Sequence, residues 1–330
     1  MEINRKAVAL LSGGLDSILA IHLIKEQGIE IEAINFQTMF GCCKDDARRA
    51  AYDLGVGFTL LKVGDDYLKM VQKPKHGYGK GINPCVDCRG YMFDLAKAYM
   101  EKIGATFMIS GEVVGQRPMS QKMSDFVTIE ADTGLEGRIV RPLSAKLLPE
   151  TWPEKQGILD RSKLCNIQGR SRKYLLELAD KYGIKNPPDP SSGCALTSPA
   201  FAKKVRDIFK YHKDYKRWEF EILKMGRHFR LSAETKLIVG RNHDENQYFE
   251  YLHPEGSTLL VPQNFAGSSA LLVGVRTPAI LDQAGAIILR YADKPETGAG
   301  EIQAEQNGEL LRFSVDLAAT EEMVELVRIV

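Results

Sequence analysis

The sequence predicts an α/β fold, a doubly wound parallel sheet, followed by a smaller C-terminal α+β domain. Three observations carry this. Short apolar runs alternate with amphipathic stretches through roughly the first 110 residues. A glycine-bearing loop, Ser12-Gly13-Gly14-Leu15-Asp16-Ser17, joins the first apolar run to the first amphipathic one. Beyond Arg141 the alternation gives way to helical stretches, and the last hundred residues read as short strands separated by Gly- and Pro-containing turns.

Taken in order, residues 6–11 read as a buried strand and residues 16–26 as a helix with Leu19, Leu23 and Ile24 on one face. A strand at 31–36, a helix at 45–54, a strand at 58–63, a helix at about 89–102 and a strand at 106–110 follow. Strand–helix–strand repetition implies parallel strands, whose ligands bind beyond the carboxyl ends. The loops at 12–16, 37–43 and 111–120 are therefore the candidate ligand loops. Helices are expected at 151–156 and 172–182, ending at Asn186-Pro187-Pro188-Asp189-Pro190. A basic helical stretch at about 199–225 comes next, then strands at 236–239, 258–261, 270–275 and 287–291. The expected domains are 1–185, a connecting segment 186–230 carrying Cys194, and 231–330.

At 330 residues the chain exceeds one ordinary domain, and 44% hydrophobic with 26% charged residues excludes general disorder. No apolar run approaches the ~20 residues that cross a bilayer. Residues 1–5 lead into a strand without the pattern of a signal peptide. A cytoplasmic protein without a membrane partner is expected. Basic and acidic residues balance at 44 and 43, so net charge carries no information about nucleic acid.

The loop at 12–17 has the chemistry of a phosphate cradle. Two glycines let backbone N–H groups turn toward an anion, and a helix N-terminus adds its dipole. Ser12 and Ser17 can donate to phosphate oxygens. Asp16 beside a phosphate requires a bridging cation, for which Mg²⁺ is suited. The Gly-Lys-Ser/Thr ending of kinase-type phosphate loops is absent. This hexapeptide resembles the PP-loop of the ATP pyrophosphatases, which cleave ATP between the α- and β-phosphates and adenylate a substrate oxygen. The resemblance implies ATP on Ser12, Gly13, Gly14, Asp16 and Ser17, with Phe36, Gly111 and Gln116 completing the nucleotide site.

Six cysteines in a reducing compartment suggest metal or redox chemistry rather than disulfides. Asn83-Pro84-Cys85-Val86-Asp87-Cys88 opens a helix with two thiols that can reach one metal or each other. Cys194 sits in a Gly-Cys turn far along the chain. Spacing leaves open a zinc site, a redox dithiol and a three-cysteine iron–sulfur cluster. Cys42 and Cys43 read as loop or core thiols, and Cys165 as packing.

Gly111-Glu112-Val113-Val114-Gly115-Gln116, Ser120-Gln121 and Arg141-Pro142-Leu143 are similar to stretches of the 4-thiouridine synthase family, and the cysteines fall where its members carry theirs. The match covers about residues 5–200. It implies ATP-dependent tRNA thiolation with Asp16, Cys85, Cys88 and Cys194 as catalytic residues and a [4Fe–4S] cluster on the three cysteines. A uridine oxygen would attack the α-phosphate, and sulfur held on an open iron or as a persulfide would then replace it, releasing AMP. The implied partners are tRNA and a sulfur donor, either free sulfide or a cysteine desulfurase. A second copy of the chain is a further candidate partner. The alternatives are a small-molecule PP-loop ligase or sulfurtransferase with zinc or a dithiol, and a non-catalytic RNA-binding scaffold.

Between residues 203 and 230, ten basic residues stand against four acidic ones, interleaved with Phe209, Tyr211, Tyr215, Trp218, Phe220 and Phe229. Cations for phosphates and aromatic faces for bases suit RNA, and a packed helix with a solvated basic face has the same composition. Residues 301–330 hold seven acids and two bases, so charge is segregated along the chain. RNA contacts are expected at Lys80, Arg117, Lys213, Lys216 and Arg217. Residues 236–246 resemble the strand-to-helix opening of the NFACT-R module.

Overall fold

The computed structural model describes residues 4–41, 44–189, 193–293 and 299–329. Cys42, Cys43 and Pro190, named above, lie outside them. The chain divides into two compact units, Met1–Thr197 and Ser198–Val330. That division falls inside the segment read as a connector.

In the first unit, β1 (Lys6–Leu10), α1 (Leu15–Lys25), β2 (Glu30–Gln37), α2 (Lys44–Leu54) and β3 (Gly57–Lys62) alternate as the sequence pattern requires. They continue into α3 (Asp66–Gln72), α4 (Cys85–Lys102), β4 (Phe107–Ser110), α5 (Met123–Thr133), β5 (Ile139–Val140), α6 (Trp152–Lys155) and α7 (Lys173–Lys181). The five strands are parallel in the order β3-β2-β1-β4-β5. Ala9 of β1 is in register with Ala33 of β2 on one side and Ile109 of β4 on the other.

Successive residues of β1 feed opposite faces, as strand geometry dictates. Ala7, Ala9 and Leu11 join a core with Ala20, Ile21 and Ile24 of α1 and Ala47 and Ala51 of α2. Val8 and Leu10 join Phe93, Ala96 and Met100 of α4 and Ile129 of α5. Helices therefore cover both faces, which is why β1 reads as a continuous apolar run. The strand order reverses between β1 and β4, and a crevice opens beyond their carboxyl ends.

The second unit contains α8 (Pro199–Tyr211), α9 (Arg217–Glu221), β6 (Arg227–Ser232), β7 (Thr235–Val239), α10 (His243–Leu252), β8 (Ser257–Pro262) and β9 (Ala270–Gly274). It ends with α11 (Pro278–Arg290), β10 (Gly300–Gln306), β11 (Glu309–Val315) and α12 (Glu321–Val327). Its sheet has the order β11-β10-β8-β9-β7-β6, and its paired strands are antiparallel. The strand expected at 287–291 is instead the end of α11. Thr277 caps that helix through the Ile280 amide, with Pro278 in its first turn. Leu281, Ala284, Ile287 and Ile288 then fall on the buried face at helical spacing. Among the described residues, no helix is long and apolar enough to cross a membrane.

Candidate active site

The crevice beyond β1 and β4 is a cleft of ≈ 340 Å³. Ser12, Asp16, Ser17, Phe36, Cys85, Cys88, Gly111, Gln116, Arg117 and Cys194, all singled out from sequence, line it. Gly13 and Gly14 complete the same loop.

Gly13 has φ +82°, and a Cβ there would stand 2.8 Å from the Ala47 amide nitrogen, so the loop needs glycine on both counts. The hydroxyls are folded into the loop. Ser17 Oγ donates to the Gly14 carbonyl at 2.8 Å and accepts from the Ser12 amide at 3.3 Å, with Ser12 Oγ at 3.3 Å. Gln116 Nε2 donates to Asp16 at 3.0 Å. Burial raises the Asp16 carboxyl above its ordinary value, against that hydrogen bond and the charges of Arg117 and Arg172. The desolvated carboxylate is thus suited to a cation partner. On the other flank, Asn35 fixes the end of β2 by donating to the Leu11 carbonyl at 2.7 Å, and Phe36 follows on the cleft wall.

Helix α4 begins at Cys85, one turn earlier than its apolar periodicity suggests. Cys85 and Cys88, three positions apart, therefore share a face of its first turn. Asn83 Nδ2 donates to Cys85 Sγ at 3.1 Å, and the Tyr67 hydroxyl lies 3.3 Å from Cys88 Sγ. Burial pushes the Cys88 thiol up to about 11. Cys194 arrives from its own segment, which is clamped to the loop before α4. Ile82 donates its amide to the Leu196 carbonyl at 3.0 Å, and a Cβ on Gly81 would sit 2.2 Å from that oxygen. No group of three or more His, Cys, Asp or Glu side chains is gathered for a metal ion among the described residues. Cys165 is half-buried against the α1–α7 core, and burial raises its thiol too.

Sequence reasoning left several cleft residues without a role: Tyr67, Asn83, Arg89 and Glu112. Glu112 is 2% exposed and holds Arg89 at 2.9 Å and Arg141 at 3.1 Å; Arg141 in turn reaches Glu130 at 2.5 Å. The Gly-Glu and Arg-Pro-Leu motifs marked this chain of charges. Nothing in the sequence joined Tyr67 or Asn83 to sulfur.

Lys80 is exposed in the loop before α4, and Arg117 is exposed at the cleft. In the second unit Lys213 and Lys216 are exposed, while Arg217 forms an ion pair with Glu221 at 2.9 Å. Phe220 and Phe229 are 0% exposed, so these two aromatics belong to the core and are not stacking platforms.

A parallel sheet with a Ser-Gly-Gly-Leu-Asp-Ser loop at its switch point is an α/β arrangement like that of the PP-loop proteins. More particularly, residues 3–146 match the family model described as thiamine biosynthesis protein ThiI. Residues 226–326 match that of the NFACT protein RNA-binding domain. Both likenesses read from the motifs are thereby borne out. The tRNA-specific 2-thiouridylase MnmA of Clostridium acetobutylicum is 33% identical over 126 residues, 33% of this chain and 36% of that protein. MnmA 2 of Caldanaerobacter subterraneus subsp. tengcongensis is 30% identical over 233 residues, 64% of this chain and 60% of that one. The chain thus spans between about a third and three fifths of the length of these curated relatives. A 4-thiouridine synthetase–RNA complex with bound ATP aligns with TM-score 0.35 and 22% identity, over 66% of this chain and 51% of that one.

Proposed function

We propose that this chain is an ATP-dependent tRNA thiolation enzyme. The observation that carries the reading is the meeting of the phosphate loop and three thiols in one cleft. Relatives named as tRNA 2-thiouridylases and an RNA-binding match in the second unit support it.

A uridine carbonyl oxygen is a poor leaving group. ATP bound on the amides of the 12–17 loop presents its α-phosphate to that oxygen, the Ser17 hydroxyl bracing the loop through the Gly14 carbonyl, and Asp16 would hold a Mg²⁺ that neutralises phosphate charge. The new P–O bond forms as the bond to pyrophosphate breaks. A sulfur nucleophile then adds at the ring carbon, AMP leaves with the original oxygen, and the sulfur's proton passes to water. Positioning and charge neutralisation supply the rate. The sulfur comes from outside the chain at the sulfide level, as free sulfide or as sulfide released from a cysteine desulfurase persulfide by a thiol reductant, which is oxidised to the disulfide.

Cys85, Cys88 and Cys194 fit a three-thiolate cluster in donor type and in sharing one cleft. When bound, a [4Fe–4S] cluster with three cysteine ligands supplies one iron free to take sulfur. RNA phosphates would be met by Lys80 and Arg117 near the cleft and by Lys213, Lys216 and Arg217.

ATP–pyrophosphate exchange, with AMP release measured with and without tRNA, tests the proposal. Thiolated uridine and tRNA-stimulated AMP release are expected. AMP release onto a small-molecule acceptor with no tRNA effect would overturn it.

A further inference from the structure

Tyr67 is 1% exposed, deep in the cleft wall, yet carries a hydroxyl that must be satisfied. Its hydrogen-bond partner is Cys88 Sγ at 3.3 Å, and no other is found for that hydroxyl among the described residues. The ring is locked by an edge contact with Tyr91, centroids 5.3 Å apart, and by Phe40 at 6.3 Å. Asn83 is 5% exposed. Its Oδ1 accepts from the Gly81 amide at 3.1 Å, which fixes the side chain and leaves Nδ2 to donate to Cys85 Sγ at 3.1 Å.

Each sulfur of the pair thus faces one buried donor whose orientation is set by something else. Cys194 Sγ is differently placed, 3.8 Å from the carbonyl oxygen of Phe40, an acceptor. A neutral thiol is a weak acceptor, so spending a buried tyrosine hydroxyl and an amide on two thiols gains little. The same donors gain more against sulfur carrying negative charge, as in a metal thiolate or a persulfide.

We propose that Tyr67 and Asn83 are positioning residues that hydrogen-bond the Cys88 and Cys85 sulfurs and lower their electron density when these bear charge. This deepens the functional reading and rests on it for the claim that the sulfurs are used. Hydrogen bonds to ligand sulfurs set the energy of a metal–thiolate unit. The pair therefore tunes how readily the site gives up electrons.

The test uses the full chain with Tyr67→Phe, which keeps the ring, and Asn83→Asp, which keeps the acceptor for Gly81 and removes the donor. Two probes are read. Cobalt(II), added anaerobically, reports sulfur-to-metal charge transfer by absorption. Infrared spectroscopy of the metal-free protein reports the S–H stretches, assigned with Cys85→Ser and Cys88→Ser. Each variant should move its own cysteine's S–H band, and both should shift the charge-transfer band to longer wavelength. Unchanged S–H bands and an unchanged cobalt spectrum in both folded variants would overturn the proposal. Failure of wild type to bind cobalt would count against metal at the cleft, and the S–H bands alone would then decide the hydrogen bonds.

Discussion

Gly111, at the carboxyl end of β4, packs so tightly against the first turn of α1 that a Cβ on it would stand 2.6 Å from the amide nitrogen of Ser17. The loops that follow β1 and β4 therefore pack closely against each other, and the spacing of these strands sets the shape of the proposed phosphate cradle. Gly111→Ala should push Ser17 out of place, at a cost of about 1–3 kcal/mol for overpacking. ATP affinity should fall at least tenfold while the chain stays folded. Equilibrium nucleotide binding and thermal unfolding check the two halves of this expectation.

Asp16→Ala removes the proposed Mg²⁺ ligand from the same loop. Because the carboxylate is desolvated and opposed by burial, its loss should leave thermal stability unchanged or slightly raised. AMP formation should disappear. A variant making AMP at the wild-type rate would remove the metal role from this residue.

Cys85→Ser, Cys88→Ser and Cys194→Ser should each abolish thiolation and lose most of the iron found in anaerobically purified protein. Cys165→Ser, whose thiol belongs to the α1–α7 packing, should keep both. Stoichiometric zinc with full activity and no iron would point instead to persulfide chemistry.

Binding to tRNA should weaken steeply with salt, by about 10³ between 50 and 200 mM for roughly six phosphate contacts. Neutralising Lys213, Lys216 and Arg217 together should flatten the salt slope by about two contacts rather than three. Arg217 already shares its charge with Glu221 at 2.9 Å. An unchanged slope would return α8 and α9 to a solvated face.

The 12–17 loop and the alternation of parallel strands and helices around it were legible because their signals are local: glycines, hydroxyls and a carboxylate within six residues, after an apolar strand; the strand order was not, because it depends on which strands meet in space. Cys85 and Cys88 were legible for the same reason. Cys194 depended on resemblance, since its approach is set by the Gly81–Leu196 contact between segments far apart in sequence. Tyr67 carried no signal because it meets Cys88 only after α3 and α4 have packed; Asn83 stands two residues from both Gly81 and Cys85, and what was not legible is the local turn that aims its amide at the sulfur. In the second unit, Ile287-Ile288-Leu289 has strand propensity, and the cap at Thr277 with helical spacing overrode it. Phe220 and Phe229 looked available to RNA because a basic amphipathic helix and an RNA-binding helix share a composition; burial separated them.

The last expectation concerns a cost inside the second unit. Lys236 is 2% exposed on β7, its ammonium 3.5 Å from Asp207, whose carboxylate is already gripped by Arg230. Burial brings the Lys236 ammonium down to about 8 from an ordinary 10.5. Below pH 8 both folded and unfolded chains carry the proton, and the folded one bears the full cost of a buried charge. Between pH 8 and 10.5 the folded chain is neutral there while the unfolded chain is still charged, so this group's contribution to stability rises with pH. Lys236→Met keeps the aliphatic volume and leaves the Arg230–Asp207 pair intact. It should stabilise the unit by on the order of 1–3 kcal/mol at pH 7. It should also remove part of the rise toward pH 10. Lys204, brought down to about 8 by burial as well, keeps the remainder. Urea unfolding of the full chain in a Trp152→Phe background, where Trp218 fluorescence reports the second unit, measures both effects. A destabilised variant at pH 7 would mean that the Lys236–Asp207 attraction outweighs the desolvation of the ammonium.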